Sequence, residues 1–268
     1  MDKKIGFIGT GNIATTIIDG LISQFKGINK TIYVSNRGPK KGMAVAEAYG
    51  VTYVSSNSEL VKTCDVIFLG VKPDACQALL EEISSHVSEE KVLISVIAGV
   101  SLNDMQQYFS NPQKIIRTMP NVAVTVREGM IALCPSPLVT EEEMEFAKGI
   151  FSSIGRADKV DESVLDTVTC ISGCSPAFIA LFVEAMADAA VLQGMPRDKA
   201  YQYAAQTLVG TGKLILEKKI HPGALKDMVT SPGGITIEGV YLLEKRNFRS
   251  TVMDALEACY HKIKGLVK

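Results

Sequence analysis

The chain has 268 residues, of which 47% are hydrophobic and 21% charged. This composition is typical of a folded protein with a sizeable core and excludes a disordered chain. Positive and negative side chains almost cancel, with 28 Lys and Arg against 29 Asp and Glu, so charge gives no reason to bind nucleic acid or an anionic membrane. The length predicts just under two domains.

The distribution of apolar residues predicts a cytoplasmic protein. A membrane helix needs about 20 apolar residues, and the richest stretch, residues 176–192, is interrupted by Glu184 and Asp188. Glycines break the apolar run near the N-terminus and no cleavage site follows it, so we expect no signal peptide. The six cysteines and three histidines lack zinc-site spacings, so we expect no metal and no disulfides.

Short β-branched runs alternate with mixed stretches from residue 4 to about residue 160. We predict strands at 4–8, 31–35, 66–69, 92–96 and 114–118, with helices at 12–25, 37–49, 74–86 and 101–109 between them. Further segments near 122–133 and 156–160 extend the sheet, with a helix at 140–152 that starts in a capping box of Thr140 and Glu143. The alternation predicts an α/β fold with a doubly wound parallel sheet covered on both faces.

Strand patterns fade after residue 160, and residues 161–268 form a second, all-helical domain in this interpretation. We predict helices at 161–170, 175–194, 197–218, 222–229, 234–244 and 247–264. The stretch 176–192 is apolar on nearly all faces, so it must be buried on all sides. A second copy of the chain could cover it in a homodimer, or other helices of one subunit could enclose it.

A glycine-rich turn after the first strand predicts a dinucleotide site. Gly9, Gly11 and Ala14 form a G-x-G-x-x-A motif between a strand and an apolar-periodic helix. Glycines at these positions allow a tight turn and a close approach to a pyrophosphate, and the helix start supplies free N–H groups at Asn12 and Ile13. A glycine turn without a ligand is the alternative.

The second strand ends in Ser35, Asn36 and Arg37, where NAD sites usually carry Asp or Glu. Because Arg37 can grip a 2′-phosphate, this end favours NADP (NADPH), with NAD as the alternative. Lys40 and Lys41 are interpreted as a solvated helix start.

Two further strand ends face the same predicted edge of the sheet. Val71, Lys72 and Pro73 follow one strand, and Ala98 and Gly99 follow another. Open α/β sheets bind ligands at this edge, so both loops are assigned to the cofactor site.

The helical half contains two motifs of small residues, at 172–178 and 230–236. In the second, Gly233 and Gly234 expose backbone N–H groups at a helix start, a device that binds carboxylates, and Ser231 and Thr236 add hydroxyls. A capped helix–helix turn is the alternative.

Taken together, the motifs resemble the pyrroline-5-carboxylate reductase family over essentially the whole chain. The residues that carry the resemblance are Gly9-x-Gly11-Asn12, Val71-Lys72-Pro73, Ala98-Gly99, Met119-Pro120-Asn121, Glu128-Gly129-Met130, Ser172-Gly173, Pro176-Ala177, Gln206-Thr207-x-x-Gly210 and Ser231-Pro232-Gly233-Gly234-x-Thr236. Their order and spacing are specific to this family.

The resemblance implies a Rossmann-type N-terminal domain and a helical C-terminal domain that dimerises, often within larger rings. It implies NADPH-dependent reduction of 1-pyrroline-5-carboxylate to L-proline, with the nicotinamide meeting the substrate near the loop 231–236. Thr236 is expected to hydrogen-bond the ring nitrogen, and Ser231, Gly233 and Gly234 to hold the carboxylate. Asn57 joins the cofactor set.

Departures from the family pattern keep other functions open. Cys174 and Ser175 replace Ser and Gly, Val122 and Ala123 replace Thr and Pro, and Ile235 stands where Thr or Ala is commoner. These changes are compatible with a reductase of a related imine, or with a non-catalytic NADP-binding regulator. A β-hydroxyacid dehydrogenase is disfavoured, because no lysine lies between Lys159 and Lys199 to serve its chemistry.

Overall fold

A computed structural model describes residues 3–266. The strands are β1 Ile5–Ile8, β2 Ile32–Ser35, β3 Thr52–Tyr53, β4 Val66–Leu69, β5 Val92–Ser95, β6 Lys114–Pro120, β7 Gly129–Pro135 and β8 Gly155–Lys159. The α-helices are α1 Asn12–Gln24, α2 Pro39–Tyr49, α3 Asn57–Thr63, α4 Cys76–Ile83, α5 Leu102–Gln106, α6 Glu141–Phe151, α7 Glu162–Val168, α8 Ser175–Leu192, α9 Arg197–Lys218, α10 Pro222–Met228, α11 Ile235–Lys245 and α12 Phe248–Leu266.

One eight-stranded sheet has the order β3-β2-β1-β4-β5-β6-β7-β8. The first six strands in that order are parallel, as predicted, and β7 runs antiparallel to β6 while β8 is parallel to β7. The Rossmann-type, doubly wound α/β fold is therefore confirmed, with an antiparallel extension at one edge. Hydrophobic patterning did not reveal the direction of that extension.

The sheet is buried on both faces, and its central strand β4 is apolar at every position. Phe7 and Phe68 stack on one face with ring centroids 4.6 Å apart. Ile8 and Ile67 point to the other face, where a second cluster packs under α3 and α4. Since side chains alternate along a strand, β1, β4, β5 and β6 each supply both clusters.

Several predicted elements differ from the structure. Both β3 and α3 were missed, since two and seven residues are too short to show a period. The segment 122–133 is not one strand, because residues 122–126 form a 3-10 turn before β7. Pro73 opens another short 3-10 turn, so α4 begins only at Cys76.

The chain folds into two compact units. One runs to Gly173 and includes the C-terminal residues from Ile263, and the other is Cys174–Lys262. Within the second unit α8 packs on α9, yet only Ala187 of α8 is buried. Leu181 and Ile179 of α8 are 64% and 50% exposed.

The helical run Glu162–Leu192 corrects the expectation that no segment could span a membrane. It is 31 residues long and apolar enough to cross a membrane by length and composition, with 17% of its most apolar window buried. The sequence pattern did not reveal this length, because the apolar stretch 176–192 continues a helical run that begins 14 residues earlier. Core helices of soluble proteins pass the same test, so this is weak evidence for a membrane span.

Candidate functional site

The glycine-rich turn presses directly against the end of β4. Gly9 adopts a left-handed conformation with φ +92°, and a Cβ there would lie 2.5 Å from the carbonyl oxygen of Gly70. The N–H of Gly9 donates to the carbonyl of Ser35 over 2.9 Å, and that of Gly70 donates to Ile8 over 2.8 Å. Only glycine at position 9 allows both the backbone angle and this approach.

The turn delivers the start of α1 to the carboxyl edge of the sheet. Gly11 is the N-cap, no side chain caps the helix, and its first turn holds no acidic residue. The amides of Asn12 and Ile13 therefore keep their hydrogen-bonding capacity at the positive end of a 13-residue helix. This is the arrangement that a pyrophosphate requires, so the residues present fit a dinucleotide.

Asn36 links two loops at the end of β2. Its Oδ1 accepts from the backbone N–H of Thr10 over 3.3 Å, and its Nδ2 donates to the carbonyl of Gly38 over 3.1 Å. The side chain thus ties the glycine-rich turn to the β2–α2 loop. Arg37 beside it is exposed, and its guanidinium forms no ion pair within residues 3–266.

A second polar link runs from the same strand end toward α4. Ser35 Oγ donates to Asn57 Oδ1 over 2.7 Å, and Asn57 Nδ2 donates to Glu82 Oε2 over 2.9 Å. Sequence reasoning assigned Asn57 to the cofactor but missed Glu82. No signal in the motifs marks Glu82, since its contact joins residues 25 positions apart.

The remaining predicted cofactor residues follow β4 and β5 at the same edge. Lys72 caps the 3-10 turn that Pro73 opens, and the side chains of both are exposed, while Val71 is half-buried. Ala98 and Gly99 are exposed after β5, with Gly99 at φ +76°. Parallel strands in the order β2-β1-β4-β5 therefore bring the predicted cofactor loops to one edge.

The loop before α11 presents a helix start to solvent. Gly233 has φ +66°, and the N–H of Gly234 donates to the carbonyl of Ser231 over 3.0 Å to close the turn. Gly234 is the N-cap and no side chain caps this helix. Thr236 and Ile235 are exposed, Ile235 by 95% of its area. Free amides and two hydroxyls at one helix start can bind a carboxylate.

Burial makes two of the cysteine thiols unreactive. Burial raises the pKa of the Cys64 thiol to about 12 and that of Cys134 to about 11, so both stay protonated near neutral pH and are poor nucleophiles. Within residues 3–266 there is no group of three or more His, Cys, Asp or Glu side chains that could hold a metal ion.

The motif around Ser172 lies in a π-helical segment, residues 169–174, that the sequence did not predict. A Cβ on Gly173 would lie 2.9 Å from Met119 Cε, so the glycine permits close packing against the end of β6. The hydroxyl of Ser172 is buried without a hydrogen-bond partner among the described residues.

The fold and the glycine-rich edge define a class, the nucleotide-dependent oxidoreductases. A family model described as "NADP oxidoreductase coenzyme F420-dependent" matches residues 4–99, and one described as "Pyrroline-5-carboxylate reductase dimerisation" matches residues 162–266. Among curated relatives, the pyrroline-5-carboxylate reductase of Escherichia coli K12 is 42% identical, with 100% of both chains covered.

Solved structures agree with these matches. A pyrroline-5-carboxylate reductase from Coxiella burnetii superposes with a TM-score of 0.95 at 31% identity, covering 100% of both chains. A Plasmodium falciparum pyrroline carboxylate reductase with NADP bound gives a TM-score of 0.85 at 32% identity, covering 100% of this chain and 99% of its own. The chain belongs to the pyrroline-5-carboxylate reductase family, which excludes the β-hydroxyacid dehydrogenase alternative.

Replacing Gly9 by alanine tests the role of the turn. We expect Gly9→Ala to raise the Kd for NADPH at least about tenfold, because a left-handed alanine costs about 1–2 kcal/mol and its Cβ would collide with Gly70. Gly27→Ala is the matched control, since Gly27 has φ +81° with nothing within 4 Å of its Cβ. Fluorescence titration measures both, and equal Kd values for the two variants would contradict the assignment.

Proposed function

We propose that the chain reduces 1-pyrroline-5-carboxylate to L-proline with NADPH. The observation that carries the proposal is the full-length similarity to this family, 42% identity to the Escherichia coli enzyme, combined with an open helix start at the Ser231–Thr236 loop. The reaction is a hydride transfer to the carbon of a cyclic imine.

The dinucleotide is held at the carboxyl edge of the sheet. The amides at Gly11, Asn12 and Ile13 would hold the pyrophosphate, and the planar guanidinium of Arg37 would bind the 2′-phosphate with two donors. The other residues assigned to this site are Gly9, Asn36, Asn57, Val71, Lys72, Pro73, Ala98 and Gly99. Bound NADPH supplies the hydride, and NADH is the alternative donor.

The substrate is held at the start of α11. The Ser231 hydroxyl and the Gly233 N–H bind its carboxylate, and the Thr236 hydroxyl hydrogen-bonds its ring nitrogen. Gly234, expected to offer a free N–H, instead shapes this site by donating its N–H to the Ser231 carbonyl. An imine carries its own basic nitrogen and is electrophilic once protonated, so orientation and one hydrogen bond can replace a strong protein acid. Thr236 is the catalytic residue in this proposal.

The two predicted domains have different proposed roles. We assign dinucleotide binding to residues 1–160, and substrate binding and dimerisation to residues 161–268. The compact units divide the chain slightly later, after Gly173. The apolar, exposed surface of α8 supports a homodimer or a higher homo-oligomer. We place the enzyme in the cytoplasm, because its six cysteines form no disulfide within residues 3–266, as is usual in a reducing compartment.

A reductase for a related cyclic imine, such as the six-membered homologue, is a second candidate. The observation that favours it is Ile235, whose side chain is 95% exposed directly beside Thr236. An apolar side chain at this position would contact the methylene groups of a larger ring.

Steady-state oxidation of NADPH at 340 nm tests the proposed reaction. We expect Thr236→Ala to lower kcat/KM for pyrroline-5-carboxylate about 100-fold, because one donor aimed at the reacting nitrogen is lost, and Thr236→Ser to restore most of it. Thr63→Ala is the control, since the Thr63 hydroxyl donates to the Glu59 carbonyl within α3. No turnover by the wild-type protein, or preference for the six-membered ring, would refute pyrroline-5-carboxylate as the substrate.

Substitution of Arg37 tests the preference for NADPH over NADH. Arg37→Ala should raise KM for NADPH about 10–100-fold, because a charge-assisted hydrogen bond contributes about 1.5–3 kcal/mol. KM for NADH should stay within about twofold, since that cofactor lacks the 2′-phosphate. Lys41→Ala, in the first turn of α2, is the control, and an equal effect of both substitutions would point to a general electrostatic field instead.

Charge placed on α8 tests assembly. Leu181→Lys should shift the protein toward monomer in size-exclusion chromatography with light scattering, because a buried unpaired ammonium is costly at an apolar interface. Met43→Lys is the control, an apolar-to-charged change at a residue that is 56% exposed on α2. An unchanged mass for Leu181→Lys would exclude this face from the interface.

A further inference from the structure

A chain of two hydrogen bonds, Ser35–Asn57–Glu82, fixes the orientation of the Asn57 amide at the end of β2. Ser35 is the last residue of β2, Asn57 the first of α3, and Glu82 lies in the last turn of α4. The two bonds are short, 2.7 Å and 2.9 Å, and they join three separate elements.

The carboxylate of Glu82 sets the direction of the chain. An ionised carboxylate only accepts hydrogen bonds, so the Asn57 amide must turn its nitrogen toward Glu82. Its oxygen then faces Ser35, whose hydroxyl donates its proton to that oxygen. The second N–H of Asn57 is left for another acceptor.

Accessibility selects Asn57 as the member that a ligand can reach. Ser35 is 1% exposed, so its hydroxyl serves the interior. Asn57 is half-buried and lies against Ser35, at the strand end where Rossmann-type sites receive the 2′ substituent of the adenosine ribose. A phosphate at that position can only accept, and the remaining Asn57 N–H is a donor.

We propose that Glu82 is a positioning residue that sets the preference for NADPH over NADH by holding the Asn57 amide with its N–H toward the 2′-phosphate. This inference rests on the proposed function, because it assumes a dinucleotide at the β2 end. Without Glu82 the amide is free to rotate and present its oxygen, which repels a phosphate.

Two substitutions separate this role from a simple effect of charge. Glu82→Gln removes the charge but keeps an oxygen that can accept from Asn57, and it should leave the Kd for NADPH within about threefold of the wild type. Glu82→Leu removes the acceptor and should raise the Kd for NADPH about tenfold, with the Kd for NADH changing less than about twofold. If Glu82 acted only as a negative charge near the phosphate, both variants would bind NADPH more tightly.

The measurement is fluorescence titration of the full-length protein with NADPH and with NADH, alongside thermal melting. Glu81→Leu is the matched control, since Glu81 is exposed on the same helix and accepts instead from Gln77 Nε2 over 3.0 Å. In an Asn57→Ala background, Glu82→Leu should add nothing to the loss of NADPH affinity, as expected of residues that act as one unit.

Equal losses for NADPH and NADH, or an additional loss in the Asn57→Ala background, would overturn the proposal. Failure of the proposed function has a different signature. In that case the wild-type protein would bind neither dinucleotide, or would bind NADPH without turning over pyrroline-5-carboxylate.

Discussion

The approach of the Gly9 turn to the backbone of Gly70 is the contact on which the dinucleotide site depends. It brings two adjacent parallel strands, β1 and β4, so close at their ends that a single Cβ would not fit. The same turn aims the start of α1 along the edge of the sheet. The Asn36 side chain then ties the turn to the β2–α2 loop, so the proposed pyrophosphate and 2′-phosphate regions are held together by its two hydrogen bonds.

Both proposed binding sites use the same electrostatic device in different units of the chain. The helices α1 and α11 each begin at a glycine N-cap, and neither is capped by a side chain. An uncapped helix start leaves backbone N–H groups and a partial positive charge for an anion. One start suits a pyrophosphate and the other a carboxylate.

The exposed surface of the helix α8 supports the proposed homo-oligomer. Its residues are apolar on nearly every face, yet most of them remain exposed in the single chain. Such a surface is costly in water and typical of an interface. Family membership, which includes a match to a dimerisation model over residues 162–266, agrees with this physical argument.

The sequence by itself determined the fold class, the glycine-rich turn and most loops of the dinucleotide edge. Central strands such as β4 are apolar throughout because both sheet faces are covered, and this signal is local. Short elements such as α3 carry too few residues for a period, and the antiparallel direction of β7 leaves no mark in the pattern. Only the tertiary structure showed the π-helical segment at 169–174 and the link from Ser35 through Asn57 to Glu82. Such contacts depend on how distant elements pack, and their hydrogen bonds join residues that no sequence spacing relates.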